Sequence, residues 1–99
     1  MIAYVPDLMD RSRLGGLGDA VTFVSTIAQI GDATHGDTVI VDLGRDGAVT
    51  AAGAAAARGA RVIGFAAHVD DELLNSAKAA GIEALPRSRF FKQIGEMLG

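Results

Sequence analysis

Short β-branched runs alternate with helical stretches along this chain, which predicts an α/β fold. The expected architecture is a three-layer, doubly wound, five-stranded parallel sheet with helices on both faces. Three observations carry that expectation. The runs at 38–43 and 61–67 are nearly continuous in apolar residues, as central strands covered on both faces should be. The connections are short, which parallel strands satisfy through right-handed helical crossovers. Eighteen alanines and 13 glycines favour helices packed closely on a sheet over a core of large aromatics, of which there are five.

The first strand is Ile2-Ala3-Tyr4-Val5, stopped by Pro6-Asp7. The first helix should occupy Leu8 to Asp19. Gly15, Gly16 and Gly18 each cost about 1 kcal/mol against Ala in a helix interior, so a stunted helix of about two or three turns is expected. Val21-Thr22-Phe23-Val24 is the second strand, and Ser25 to Ala33 a short second helix. The third strand, Thr38 to Leu43, ends at Gly44. The third helix, Val49 to Arg58, presents Val49, Ala52, Gly53 and Ala56 on one face and stops at Gly59.

The fourth strand is Arg61 to Ala67. Asp70 is then the N-cap candidate of a helix buried through Leu73, Leu74, Ala77 and Ala80, with first-turn acids at the positive end of its dipole. The fifth strand is Ile82 to Leu85, ended by Pro86. Phe90, Phe91, Ile94, Met97 and Leu98 form the apolar stripe of a last helix.

Composition excludes several classes of function. The chain has 99 residues, which predicts one domain over 1–99. The absence of cysteine removes disulfides, thiolate metal sites and thiol nucleophiles. A net charge of -3 argues against nucleic-acid and anionic-membrane surfaces, which need clustered cations. With no apolar run near about 18 residues and no basic-then-apolar leader, a soluble, cytoplasmic protein is expected. Gly15-Gly16-Leu17-Gly18 lacks the spacing of a dinucleotide fingerprint and does not directly follow a strand.

In a doubly wound sheet the functional crevice lies outside the carboxyl ends of the strands. The residues there are Pro6-Asp7, Asp42-Leu43-Gly44, Ala66-Ala67-His68 and Pro86-Arg87-Ser88. Together they resemble the response-regulator receiver domain of two-component signalling, over essentially the whole chain. Val39-Ile40-Val41-Asp42-Leu43 is similar to the receiver strand ending in the phosphorylated aspartate. Tyr4 to Leu14 is similar to the first strand, its acidic pair and the opening of the first helix, and Ala79-Ala80-Gly81 to the connection before the fifth strand. The resemblance implies a flavodoxin-like sheet of order 2-1-3-4-5. It makes Asp42 the phosphoacceptor equivalent and Asp7 and Asp10 the acidic pocket.

Departures from the receiver pattern imply a degenerate, pseudo-receiver type. Pro6 replaces one of the paired acids, Ala66 and Ala67 replace the hydroxyl residue, and Arg87-Ser88 stand where receivers carry Lys-Pro. Arg87, always charged and able to grip a carboxylate with two parallel bonds, is expected either to pair with Asp42 or Asp7 or to lie solvated on the surface. Asp42 has a second role open to it, as a strand-end acid accepting backbone N–H groups. His68 at the rim is either a proton-sensing imidazole or a loop residue bonded to nearby backbone.

The expected function is a non-catalytic regulatory or scaffolding module working by protein contact, without a cofactor. Two alternatives stand beside it. One is a genuine single-domain response regulator phosphorylated on Asp42, with Mg²⁺ held weakly by Asp7 and Asp42. The other is a small flavodoxin-like ligand binder or enzyme subunit, which needs a sizeable pocket at the strand ends. Resemblance also implies a partner or dimer surface on the fourth helix, fifth strand and fifth helix. There Arg89, Phe90, Phe91 and Lys92 combine residue types enriched in interfaces. Adjacent Phe residues cannot both point inward on one helix, so either one of them, Phe90 ahead of Phe91, is partly exposed beside three cations, or both straddle the edge of the core.

Overall fold

The computed structural model describes residues 1–98. Five parallel strands lie in the order β2-β1-β3-β4-β5. They are β1 (Ile2–Tyr4), β2 (Thr22–Phe23), β3 (Thr38–Asp42), β4 (Arg61–Ala66) and β5 (Glu83–Pro86). The α-helices are α1 (Leu8–Leu14), α2 (Ile27–Gly31), α3 (Ala48–Ala57), α4 (Asp71–Ala79) and α5 (Arg87–Leu98), with a 3₁₀ stretch at Gly15–Ala20. This is the flavodoxin-like α/β sheet expected from the alternation, with the expected strand order.

Strand alternation sorts the core into two faces. Val39 and Val41 of β3, and Val62 and Ala66 of β4, turn towards Ile30, Ala52, Ala55, Leu74 and Ala77 of α2, α3 and α4. Ala3 and Val5, Ile40, Ile63 and Phe65 turn the other way, onto Leu14 of α1 and Phe90 and Ile94 of α5. Alanines supply much of the first face, and the phenylalanine rings lie on the second. Gly64 belongs to the close-packed first face: a Cβ there would come within 2.7 Å of the Leu43 side chain, which fills the place a larger residue would take.

Several boundaries and faces differ from the sequence expectation. The α3 face is rotated by a residue, burying Ala48, Ala52 and Ala55, and α4 buries Leu74 and Ala77 while Ala80 is exposed. Asp70 occupies the N-cap position of α4 without a side-chain capping bond. β5 begins one residue later than expected and runs into Pro86, tolerated because β5 is an edge strand. The α1 helix is seven residues long and gives way to 3₁₀ geometry at Gly15, with Gly18 at φ 58° making the break. The glycines produce the stunted helix they were expected to produce. Phe90 is the clearest correction. It is fully buried and Phe91 is half-buried, because Phe90 shares the inward stripe with Ile94 four residues on. The side chains of Met97 and Leu98 lie outside the described residues.

Candidate functional site

Asp7 follows β1 and caps α1: its Oδ1 accepts the backbone N–H of Asp10 at 3.0 Å. One turn of helix then carries Asp10 to the inner side of α1, in line with the buried Leu14. Asp10 is 1% exposed, the one buried charged residue among those described. A carboxylate removed from water at such depth requires a partner. Arg87, the first residue of α5, supplies it. Its Nη1 donates to Asp10 Oδ2 at 2.7 Å and its Nη2 donates to Asp10 Oδ1.

This two-pronged pair corrects the expectation that Arg87 would meet Asp42 or Asp7. The reason lies in the helix: Asp10 is on the sheet-facing stripe of α1, whereas Asp7 is spent on capping. Aromatic rings fix the guanidinium from below. Its carbon lies 5.6 Å from the centre of Phe65 and 5.2 Å from that of Phe91, within cation–π range. The hydrogen bond to Asp10 raises the Arg87 pKa above its ordinary value. Burial opposes that rise, and the charges of Asp10, Asp42 and Asp7 add to it. One cation therefore sits in the field of all three acids at the carboxyl ends of β1 and β3.

Asp42, ending β3, is engaged locally. Its Oδ1 accepts the Gly44 N–H at 3.1 Å, and its Oδ2 accepts from Arg45 Nε at 3.2 Å. The backbone-accepting role is realised, together with an ion pair three residues along. Arg45 escaped the sequence reading, although its spacing from Asp42 was the signal. Ala66 is buried at the end of β4, while Ala67 and His68 are exposed in the turn that follows. Pro6 and Pro86 are half-buried, and Ser88 and Arg89 exposed.

A Mg²⁺ ion needs several oxygen ligands with room to converge. Among the described residues no three His, Asp or Glu side chains converge as such a set. Both Asp10 oxygens face Arg87, Asp7 caps a helix, and Asp42 holds Arg45 and Gly44. These residues do not fit a resident divalent cation.

Two adjoining grooves open beside the pair. One, of about 560 Å³, is lined by Arg13, Arg87, Ser88, Phe91 and Lys92. The second, of about 570 Å³, is lined by Asp7, Met9, Asp10, Ser12, Arg13 and Arg87. Arg13 and Met9 were missed in the sequence, because what joins them to α5 is tertiary packing. Among the described residues no helix is long and apolar enough to cross a membrane. Comparison with protein-family models, with curated proteins and with solved structures returns no match.

Proposed function

We propose that this chain is a receiver-like regulatory or scaffolding module of the cytoplasm that acts by protein contact and performs no phosphoryl transfer. The observation that carries the reading is the Arg87–Asp10 pair. Phosphorylation of a strand-end aspartate depends on neutralising charge at the pocket with a metal ion and fixed donors. Here a guanidinium tethered to the fold supplies positive charge continuously, and it is held by a buried carboxylate and two aromatic rings. Arg45 occupies Asp42, and Ala66 removes the hydroxyl that would register a phosphoryl group. The site is thereby held in one state, which suits a scaffold better than a switch.

The test is chemical. Intact-mass measurement after incubation with Mg²⁺ and acetyl phosphate is expected to show the unmodified mass, and beryllofluoride with Mg²⁺ is expected to leave the amide resonances around Asp42 in place. A stoichiometric phosphoryl adduct that disappears in Asp42→Asn would establish the phospho-switch instead.

A further inference from the structure

Of the residues expected to meet partners, Phe91 and Lys92 line a groove that opens towards α1. Phe90 is in the core, and Phe91 turns towards α1, where the Arg13 guanidinium carbon lies 4.5 Å from its ring centre. The exposed part of α5 therefore unites with α1 across the two adjoining grooves. Three cations, Arg13, Arg87 and Lys92, line the first groove with a single aromatic ring between them. Arg87 is matched by Asp10. Among the described residues, Arg13 and Lys92 have no carboxylate within ion-pair distance. Such a concentration of positive charge is unexpected on a chain of net charge -3.

An apolar element adjoins it. Met9 stands four residues before Arg13 on the same stripe of α1, lines the second groove, and is 77% exposed. A flexible thioether beside a cation–π stack accepts varied apolar side chains. Charge alone would suit any small anion. The exposed methionine at one end and the half-buried Phe91 at the other favour a longer occupant carrying both carboxylates and apolar groups.

We propose that the paired grooves between α1 and α5 bind an acidic protein segment, with its carboxylates on Arg13 and Lys92 and an apolar side chain against Met9 and Phe91. This rests on the reading of the chain as a protein-contact module and names the chemistry of the partner. Asp7 on the second groove sets a direction, since its exposed carboxylate repels an acid placed there, whereas the charge of Asp10 is matched by Arg87.

The probe is a short synthetic peptide of Asp, Glu and Leu, titrated into isotope-labelled full-length chain. Parallel titrations use an Asp-Glu-Ser peptide, a Lys-Leu peptide and inorganic phosphate. The acidic leucine peptide is expected to shift the amides of Met9, Arg13, Phe91 and Lys92, to weaken with added salt, and to bind more tightly than its serine counterpart. The double substitution Arg13→Glu, Lys92→Glu should reduce its affinity by about tenfold or more. Arg13→Gln with Lys92→Gln should give a smaller loss, with thermal unfolding confirming that both variants fold.

The proposal fails if the peptide does not bind, if charge reversal leaves binding unchanged, if the shifts fall outside α1 and α5, or if phosphate displaces the peptide at equal concentration. That last result would define a small-anion site. Failure here with Asp42 still unreactive would sink the grooves and leave the reading of an inert strand-end site standing. Phosphorylation of Asp42 would do the reverse.

Discussion

At the scale of single residues, the Arg87–Asp10 pair joins α5 to α1 through a buried carboxylate, and its energetics are lopsided. Asp10 is almost wholly removed from water while the Arg87 side chain remains 42% exposed. Removing the cation strands a buried charge, whereas removing both partners leaves an apolar contact. Arg87→Met is therefore expected to lower the unfolding free energy by about 2–4 kcal/mol, at the lower end of buried-pair losses because solvent reaches the arginine. Adding Asp10→Leu should recover much of that, as read by urea denaturation. The pH dependence has a definite sign. The folded-state pKa of Arg87 is raised, chiefly by the Asp10 hydrogen bond. Its contribution is complete below the ordinary guanidinium value and is lost only as pH rises through the raised one. From about pH 6 to about pH 9 the gap between wild type and the Asp10→Leu, Arg87→Met double variant, which leaves no stranded carboxylate to take up a proton, should stay flat, and a gap closing across that range would contradict the assignment. The identity of the partner was legible in principle. Asp10 lies four residues before Leu14, so helical spacing puts both on the same face, and the same rule separates Phe90 from Phe91 through Ile94. Resemblance to a family of known pockets drew attention to Asp42 and Asp7 in place of that spacing.

At the scale of elements, the sequence was most legible where composition was extreme. The continuous apolar runs gave β3 and β4 within a residue, and the glycine cluster foretold the failure of α1 after two turns. Gly15 is at φ -59° and ψ -23°, a conformation any residue adopts, and a Cβ on it meets no atom within 4 Å. Its place in the chain loosens the unfolded state without serving a turn. Gly15→Ala should therefore stabilise the protein by about 0.4–1 kcal/mol, seen as a raised melting temperature. Gly18→Ala, at φ 58°, should do the opposite because an L side chain is strained there. Equal effects from the two would mean that the 3₁₀ stretch does not depend on backbone conformation. Less legible was β5. The glutamate at its start and the proline at its end are set by pairing with β4 and by its edge position, and neither is visible in a local window. The same holds for α3, whose alanines look alike from every side until the sheet beneath selects a face.

At the scale of the whole molecule, the two apolar faces are unequal in construction yet share the same strands. Phe65 meets Phe90 at 4.7 Å between ring centres and Phe91 at 5.2 Å, so one face is secured by a three-ring cluster. The other is secured by many small side chains packed against Val39, Val41 and Val62. Successive residues of β3 and β4 point to opposite faces, so neither layer can separate without exposing the other's strands. A chain of this length is stable by only about 5–15 kcal/mol, and losing the Phe90 ring should remove about 3–5 kcal/mol of it. That loss is expected to be felt equally on both sides of the sheet. In Phe90→Ala, the methyl resonances of Ile94, in α5, and of Ile30, in α2 on the opposite face, should disappear at the same urea concentration, lower than in the wild type. Separate midpoints, with Ile30 retaining its wild-type value, would show that the sheet does not couple its two layers. A partner docked between α1 and α5 would then have no mechanical route to the α2–α4 side. Coincident midpoints would mean that a segment bound at Arg13 and Lys92 stabilises the whole fold, because ligand affinity for the native state is shared by every element that unfolds with it.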